Sequence, residues 1–445
     1  MINPRADGSL VRALGVWGLG ASIINITVGG GIFRLPAAAA SALGAAAPVA
    51  YGVCAIVMGL IVLCFAEAGT RVSLTGGLYA CVEVAFGPLI GFVTGVLLWA
   101  GITAATAAVA SFFSDGLGAL IPALNAGAPR IAALIAVLVA LAALNIAGVR
   151  GASRFNVVMT VAKVAPLVLL IVAGIGAVHP ANLHWTTSPG ITSISRASIV
   201  LIFAFMGVES ALVPSGEVLE PSRTVPRAIF IAMTGITLLY LAVQLVTQGI
   251  LGDSLAGRKT PLADAAAVAL GPAGATVVLT GMLISTFGYV SGMTLAAPRM
   301  LFAFGRDGFL PQQFARVHAV RRTPYVAISV QTAVVIVVAV SGTFEKIAIV
   351  ANGSILLVYA ACCASVLQLR RRGVHGSGVP FRIPFAAVVP VLAIAAIVWF
   401  LSSLTASEWK AILLVVGVAV VLYASSLSAR RSEGRDISSA PAGIL

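Results

Sequence analysis

The chain has 445 residues, of which 60% are hydrophobic and only 9% charged, and its mean hydropathy is strongly positive. Such a composition leaves too little polar surface to cover a water-soluble fold, so it excludes a soluble globular protein and points to the bilayer. The formal charge of +13 would suit nucleic acid, but its distribution along the chain argues for membrane topology instead.

Twelve apolar stretches approach or exceed the roughly 20 residues a bilayer requires, at 12–40, 46–70, 86–113, 130–149, 155–178, 196–218, 227–250, 273–303, 324–342, 345–369, 384–404 and 408–428. The first is too long for a signal peptide and lacks a small-residue cleavage site, so it is expected to be retained. With residues 1–11 placed in the cytoplasm, 19 of the 27 basic residues fall on inner segments, seven on outer ones, and Lys163 within a span. That asymmetry predicts cytoplasmic termini, including the tail 429–445, and basic segments that meet anionic lipid rather than nucleic acid. The five cysteines, Cys54, Cys64, Cys81, Cys362 and Cys363, show no metal-ligand spacing and are read as small hydrophobes carrying free thiols.

In chain order, the first informative element is Gly29-Gly30-Gly31 within the first span. Glycine is the worst ordinary helix former, and three in a row predict an unwound segment. Unwinding frees N–H groups on one side and C=O groups on the other, which is tolerated at membrane depth only where backbone lines a cavity. The half-helix starting near Ile32 presents amides and a positive dipole end suited to a carboxylate, while carbonyls near Ile26 and Thr27 suit an ammonium. Together these fit the backbone of an α-amino acid. Lys163, about nine residues into the fifth span, lies too deep to reach water easily. The sixth span breaks in the same manner at Phe205-Met206-Gly207-Val208-Glu209-Ser210 and carries a carboxylate. Interrupted helices at corresponding places in two halves mark the binding site of a secondary transporter. The expected fold is therefore an all-α polytopic membrane protein of about twelve helices. Two five-helix repeats, about 12–178 and 196–369, would form a ten-helix core over 12–370, related by inversion, with discontinuous helices 1 and 6. Helices 11 and 12, over 371–428, would be extra.

Four separated motifs carry a resemblance over roughly residues 10–370. They are Gly29-Gly30-Gly31-Ile32-Phe33 with Pro36; Phe65-Ala66-Glu67-Ala68-Gly69 with Gly76-Gly77-Leu78-Tyr79; Phe205 to Ser210 followed by Gly216-Glu217-Val218 and Glu220 to Ile229; and Arg299 with Arg306 to Pro311 and Thr323-Pro324. In these the chain resembles the amino acid–polyamine–organocation superfamily of transporters, which share the LeuT-type inverted-repeat fold. The resemblance implies that Gly30 and Gly31 meet the substrate carboxylate and the Thr27 carbonyl its amine, with Gly29, Ile32 and Gly207 lining the same breaks. Gly30 stands where the family usually has serine. The carbonyls of Phe203 and Met206 would complete the ammonium site, and Phe203 matches an aromatic gate that is commonly tryptophan in basic-amino-acid exchangers. Met293 aligns with a substrate-proximal aromatic of arginine exchangers.

Lys163 matches a helix-5 lysine whose ammonium takes the place of a sodium ion, either carrying a proton or serving as a fixed charge. Glu209 has three readings: a partner for a cationic substrate, a proton site, or a cap on the broken helix. Asp115, Arg299 and Asp307 read as loop pairs or caps, the Arg223–Arg227 segment with Glu217 and Glu220 as cytoplasmic gate contacts, and His179 and His184 as solvated.

The expectation is a sodium-independent amino acid transporter of the plasma membrane working by alternating access, coupled to protons or exchanging, with a neutral α-amino acid as substrate. A basic amino acid or polyamine antiporter is the nearest alternative, favoured by Glu209 and disfavoured by Phe203 and Met293. A transport-incompetent amino acid receptor is a different class. No clustered Ser/His/Asp set suggests an enzyme, and no cofactor or metal is called for.

Overall fold

The computed structural model describes residues 15–72, 78–147, 153–185, 188–209, 221–374, 381–383, 385 and 387–432. Among them the secondary structure is helical throughout, without strands. The α-helices are α1 (Val16–Thr27), α2 (Leu35–Leu43), α3 (Ala47–Arg71), α4 (Leu78–Phe86), α5 (Pro88–Leu120), α6 (Gly127–Ala147), α7 (Ser153–Gly174) and α8 (Ile191–Leu201). They continue with α9 (Pro221–Leu251), α10 (Pro261–Ala296), α11 (Pro298–Arg306), α12 (Tyr325–Ser341), α13 (Phe344–Arg371), α14 (Val388–Leu401) and α15 (Ala406–Ser432). Seven stretches among the described residues are long and apolar enough to cross a bilayer, and five shorter apolar helices accompany them. The result is a polytopic all-α membrane protein.

Most expected spans coincide with a helix, and the exceptions have local causes. The eighth span was expected over 273–303, but α10 already begins at Pro261 and stops at Ala296. Its early turns precede a kink at Gly271, whose φ of 72° only glycine takes easily and which Pro272 follows. Pro298 then opens the separate helix α11, so the expected span runs on into a second helix, while α4 lies between expected spans. The sixth span, expected to run to 218, leaves helical geometry at Met206, and residues 210–220 lie outside the described residues.

The packing has an exchange symmetry. Counted from the two broken segments, α3 corresponds to α9, α5 to α10, α6 to α12 and α7 to α13. α1 packs on α9 as α8 packs on α3; α5 packs along α13 as α10 packs along α7; and α3 meets α9, α5 meets α10 and α6 meets α12. All five cysteines are buried free thiols.

One end of the bundle is locked by a buried carboxylate. Glu67, fully buried near the end of α3, accepts from Arg71 Nε at 2.8 Å, Arg370 Nε at 2.7 Å and the Ile383 amide at 2.9 Å. α3, α13 and the segment after α13 are thereby tied at one point. Arg71 is only 4% exposed, so Glu67→Ala strands a buried guanidinium, and breaking such a pair costs about 3–5 kcal/mol. A clear drop in melting temperature in detergent is expected; an unchanged one would show that water reaches these charges.

Candidate functional site

The first break is built from backbone. α1 ends at Thr27, and Val28 (φ −73°, ψ 83°) turns the chain so that the Gly29 amide donates back to the Thr27 carbonyl at 2.8 Å. This is the geometry of an inverse γ-turn. A 3₁₀ turn over Gly31–Phe33 follows, its first bond running from the Phe33 amide to the Gly30 carbonyl at 3.2 Å. Among the described residues the amides of Gly30, Gly31 and Ile32 therefore have no acceptor, and they stand at the start of the half-helix that leads into α2.

The second break faces the first. α8 tightens into a 3₁₀ turn over Ile202–Phe205 and leaves helical geometry at Met206. Gly207 follows with φ 107°, and a Cβ there would fall 2.9 Å from Ile26 Cγ2 and 3.3 Å from the Ile26 carbonyl oxygen. Only glycine permits both the conformation and this approach of one break to the other.

Each carbonyl freed by the α1 break has a distinct fate. In an unbroken helix the Asn25 carbonyl would accept from the Gly29 amide; here Lys163 Nζ donates to it instead. The Thr27 carbonyl accepts from Gly29 and, at 3.1 Å, from the Tyr240 hydroxyl, which also approaches the Ala204 carbonyl at 2.9 Å. The single Tyr240 proton is shared between the Thr27 and Ala204 carbonyls, so the Thr27 carbonyl is held by the Gly29 amide and only in part by Tyr240. The carbonyl of Ile26, beside Gly207, is the one left without a donor among the described residues. The Phe203 carbonyl accepts from the Met206 amide at 3.4 Å, a long bond that leaves acceptor capacity.

Side chains close over this backbone. A Cβ on Gly31 would sit 2.9 Å from Phe203 Cδ1, so the Phe203 ring lies directly on Gly31, and it meets Phe344 edge-on with centroids 5.5 Å apart. A Cβ on Gly30 would sit 2.6 Å from Thr286 Cγ2 and 3.1 Å from Val109 Cγ1. The space of the usual serine side chain is thus taken by the Thr286 methyl. Tyr289, one turn from Thr286 on α10, lies over Gly29, with its Cδ2 3.7 Å from a Cβ there. Met293 is not brought to this cluster. It lies in a tight crevice with Thr106, Leu138, Gln331 and Thr332, between α5, α6, α10 and α12. Met293 is a turn beyond Tyr289, so the aromatic on α10 nearest the break is Tyr289.

Glu209 follows the α8 break. Its Oε2 accepts from the Gly207 amide at 2.8 Å and from the buried Tyr359 hydroxyl at 2.7 Å. The carboxylate therefore caps the break and ties it to α13. Past the first break, Arg34 pairs with Glu345 at 2.7 Å, in the first turn of α13, and donates to the Arg258 carbonyl at 2.9 Å. This ion pair stands next to the Phe203–Phe344 contact, at the end of α13 opposite the one that Glu67 holds.

The remaining singled-out residues have local roles. Asp115 pairs with Arg130 at 3.0 Å, Arg299 donates to the Leu295 carbonyl at 3.0 Å, and Asp307 pairs with the adjacent Arg306 at 2.9 Å. Glu217 and Glu220 lie outside the described residues. Sequence reasoning missed Tyr240, Tyr289 and Tyr359. The available signal was that six of the seven tyrosines, Tyr240, Tyr289 and Tyr359 among them, lie within the expected apolar spans, where a phenol needs a polar partner for its hydroxyl.

Comparison with known proteins completes the picture. The amino acid permease family model matches residues 14–424. The chain is 28% identical to a methylthioribose transporter of Bacillus subtilis, over 93% of each chain. It is 29% identical to the branched-chain amino acid permease BcaP of Lactococcus lactis, over 87% of this chain and 89% of that one. It is 26% identical to the serine/threonine exchanger SteT of B. subtilis, over 89% and 92% respectively. A match over nearly the whole chain, on a polytopic helical fold with two facing helix breaks, makes this protein a transporter rather than an enzyme, and it belongs to the amino acid permease family of the amino acid–polyamine–organocation superfamily.

Proposed function

We propose that the chain carries a neutral α-amino acid across the plasma membrane by alternating access, without sodium. The observation that carries this reading is the run of acceptor-free amides at Gly30, Gly31 and Ile32, with the Ile26 carbonyl free one turn earlier. Amides aligned at a helix start hold a carboxylate, and a carbonyl beside Gly207 accepts an ammonium. Sodium independence follows from Lys163, whose ammonium occupies the carbonyl a coupling cation would otherwise seek. A neutral side chain is favoured because Glu209 is already engaged by Tyr359 and the Gly207 amide.

The exchange symmetry of the helix pairs supports two five-helix repeats, roughly 12–178 and 196–369. With an odd number of crossings per repeat, the second lies inverted and the site falls between the halves. The excess of basic residues on one set of segments supports a cytoplasmic position for the Glu67–Arg71–Arg370 end and both termini. The Arg34–Glu345 pair and Phe203 then shut the site from outside.

The test is uptake into proteoliposomes in sodium-free buffer, using labelled neutral and basic amino acids and methylthioribose, with and without an inward proton gradient. Accumulation of a neutral amino acid is expected; uptake confined to basic amino acids or to methylthioribose would overturn the substrate assignment. Stimulation by the gradient in empty vesicles identifies symport, and dependence on preloaded substrate identifies exchange. Glu209→Gln keeps an acceptor for Tyr359 and the Gly207 amide but cannot take up a proton. It is expected to retain exchange and lose the response to the gradient. A variant still accelerated by protons would make Glu209 a cap alone.

A further inference from the structure

α9 carries a polar face that the substrate site does not use. Tyr240, Gln244, Thr247 and Gln248 recur at helical spacing on one side of this helix, and none is more than 1% exposed. Tyr240 is bonded to both breaks. At the far end, Gln248 Nε2 donates to the Gly252 carbonyl at 3.2 Å. Between them, Gln244 has neither its Nε2 nor its Oε1 partnered, and Thr247 Oγ1 and Gln248 Oε1 are likewise unpartnered. α9 packs on α1 and α3, and each brings another buried, unpartnered hydroxyl, Thr27 Oγ1 and Tyr51 Oη.

Buried polar groups in proteins almost always have a partner. One orphan amide is an accident of side-chain rotation; a row of them along one helix face needs an occupant. The chemistry of the row identifies it. The row offers neutral donors and acceptors together, and no charged side chain of α9 lies beyond Arg227 to balance a bound ion. What remains is a small neutral molecule that both donates and accepts, with two to four polar partners within reach of each copy, and that molecule is water.

We propose that the Gln244–Thr247–Gln248 face of α9 holds a file of buried water molecules running from Gly252, at the Arg34 end, inward to Tyr240. This file is separate from the substrate site, because the Gly30 and Gly31 positions face Thr286, Val109 and Phe203, whereas Tyr240 reaches the breaks from α9. It ends at the hydroxyl that lies between carbonyls of the two broken helices.

The test is radiolytic footprinting of the purified full-length protein in heavy-oxygen water, with brief dilution into ordinary water before exposure. Water held beside them would label Tyr240 and Tyr51 although both are fully buried, whereas Phe400, equally buried in α14, would stay unlabelled. The double variant Gln244→Leu/Thr247→Val removes the central partners of the file. It is expected to lower labelling of Tyr240 several-fold and to reduce the melting temperature, because waters at the flanks lose their bonds. Absence of label on Tyr240 and Tyr51 in the unmodified protein would overturn the proposal whatever the variant does. A double variant that melts at the same or a higher temperature would do so too, since removing unpartnered polar groups from a dry seam stabilises.

Discussion

Lys163→Met is expected to reduce uptake by about ten- to a hundredfold, the range that corresponds to losing a charge-assisted hydrogen bond of about 1.5–3 kcal/mol. Methionine nearly matches the length and volume of the lysine stem, so the side chain's bulk on α7 is kept and only the ammonium goes. The Asn25 carbonyl, which has lost its helical donor because the Gly29 amide turns back to Thr27, is then left at membrane depth without Lys163. The cost falls on the conformation in which α1 is broken, and that conformation is the one that binds. Substrate affinity should therefore fall together with flux, while insertion and monodispersity in detergent are retained. Lys163→Arg separates the two readings of the lysine. A guanidinium is never deprotonated at working pH, so exchange preserved in this variant without gradient-driven uptake identifies Lys163 as the proton carrier, and loss of neither identifies a fixed charge. Unaltered flux in Lys163→Met would remove Lys163 from the mechanism.

The sequence disclosed the parts of the site that violate a local rule. Three consecutive glycines, a lysine within a span and a carboxylate beside a glycine are each costly in a membrane helix, so they stand out without any knowledge of contacts. Both breaks were visible this way, as were Lys163 and Glu209, whereas Phe203 was singled out only by the resemblance. What remained hidden depends on pairings across the fold. That Tyr240 reaches the Thr27 and Ala204 carbonyls follows from where α9 crosses the two breaks. Tyr289 rather than Met293 stands by the break because the phase of α10 relative to Gly29 is set by tertiary packing, not by hydropathy. The start of α10 was placed late because Gly271-Pro272 reads as a helix boundary, whereas here the chain kinks and the helix carries on across it. The Arg34–Glu345 and Glu67–Arg370 pairs join residues about 300 positions apart, and no pattern in a single sequence couples them.

Gly30→Ala tests whether the first break is shaped by steric fit, and its expected effect is a loss of uptake of about tenfold or more, as for overpacking a close contact at about 1–3 kcal/mol. The added methyl would lie 2.6 Å from Thr286 Cγ2 and 3.1 Å from Val109 Cγ1. Thr286 cannot readily turn aside. Its Oγ1 donates to the Met282 carbonyl at 2.8 Å and approaches that of Leu283 at 3.1 Å, and a β-branched side chain in a helix has few rotamers to choose from. The methyl must therefore push the Gly30–Ile32 backbone, and with it the three acceptor-free amides, away from α10. Thr286→Ser removes Cγ2 and keeps the hydroxyl bond to the preceding turn. Combined with Gly30→Ala it should restore most of the lost uptake, whereas Thr286→Ser alone should change little. The Thr286→Ser background should also accept Gly30→Ser, which returns the hydroxyl usual in the family to this position. The coupling is read from a double-mutant cycle. If the two substitutions simply add, Gly30 acts through backbone freedom or substrate contact rather than through the space that Thr286 fills, and the amides of the first break are held by something other than this contact.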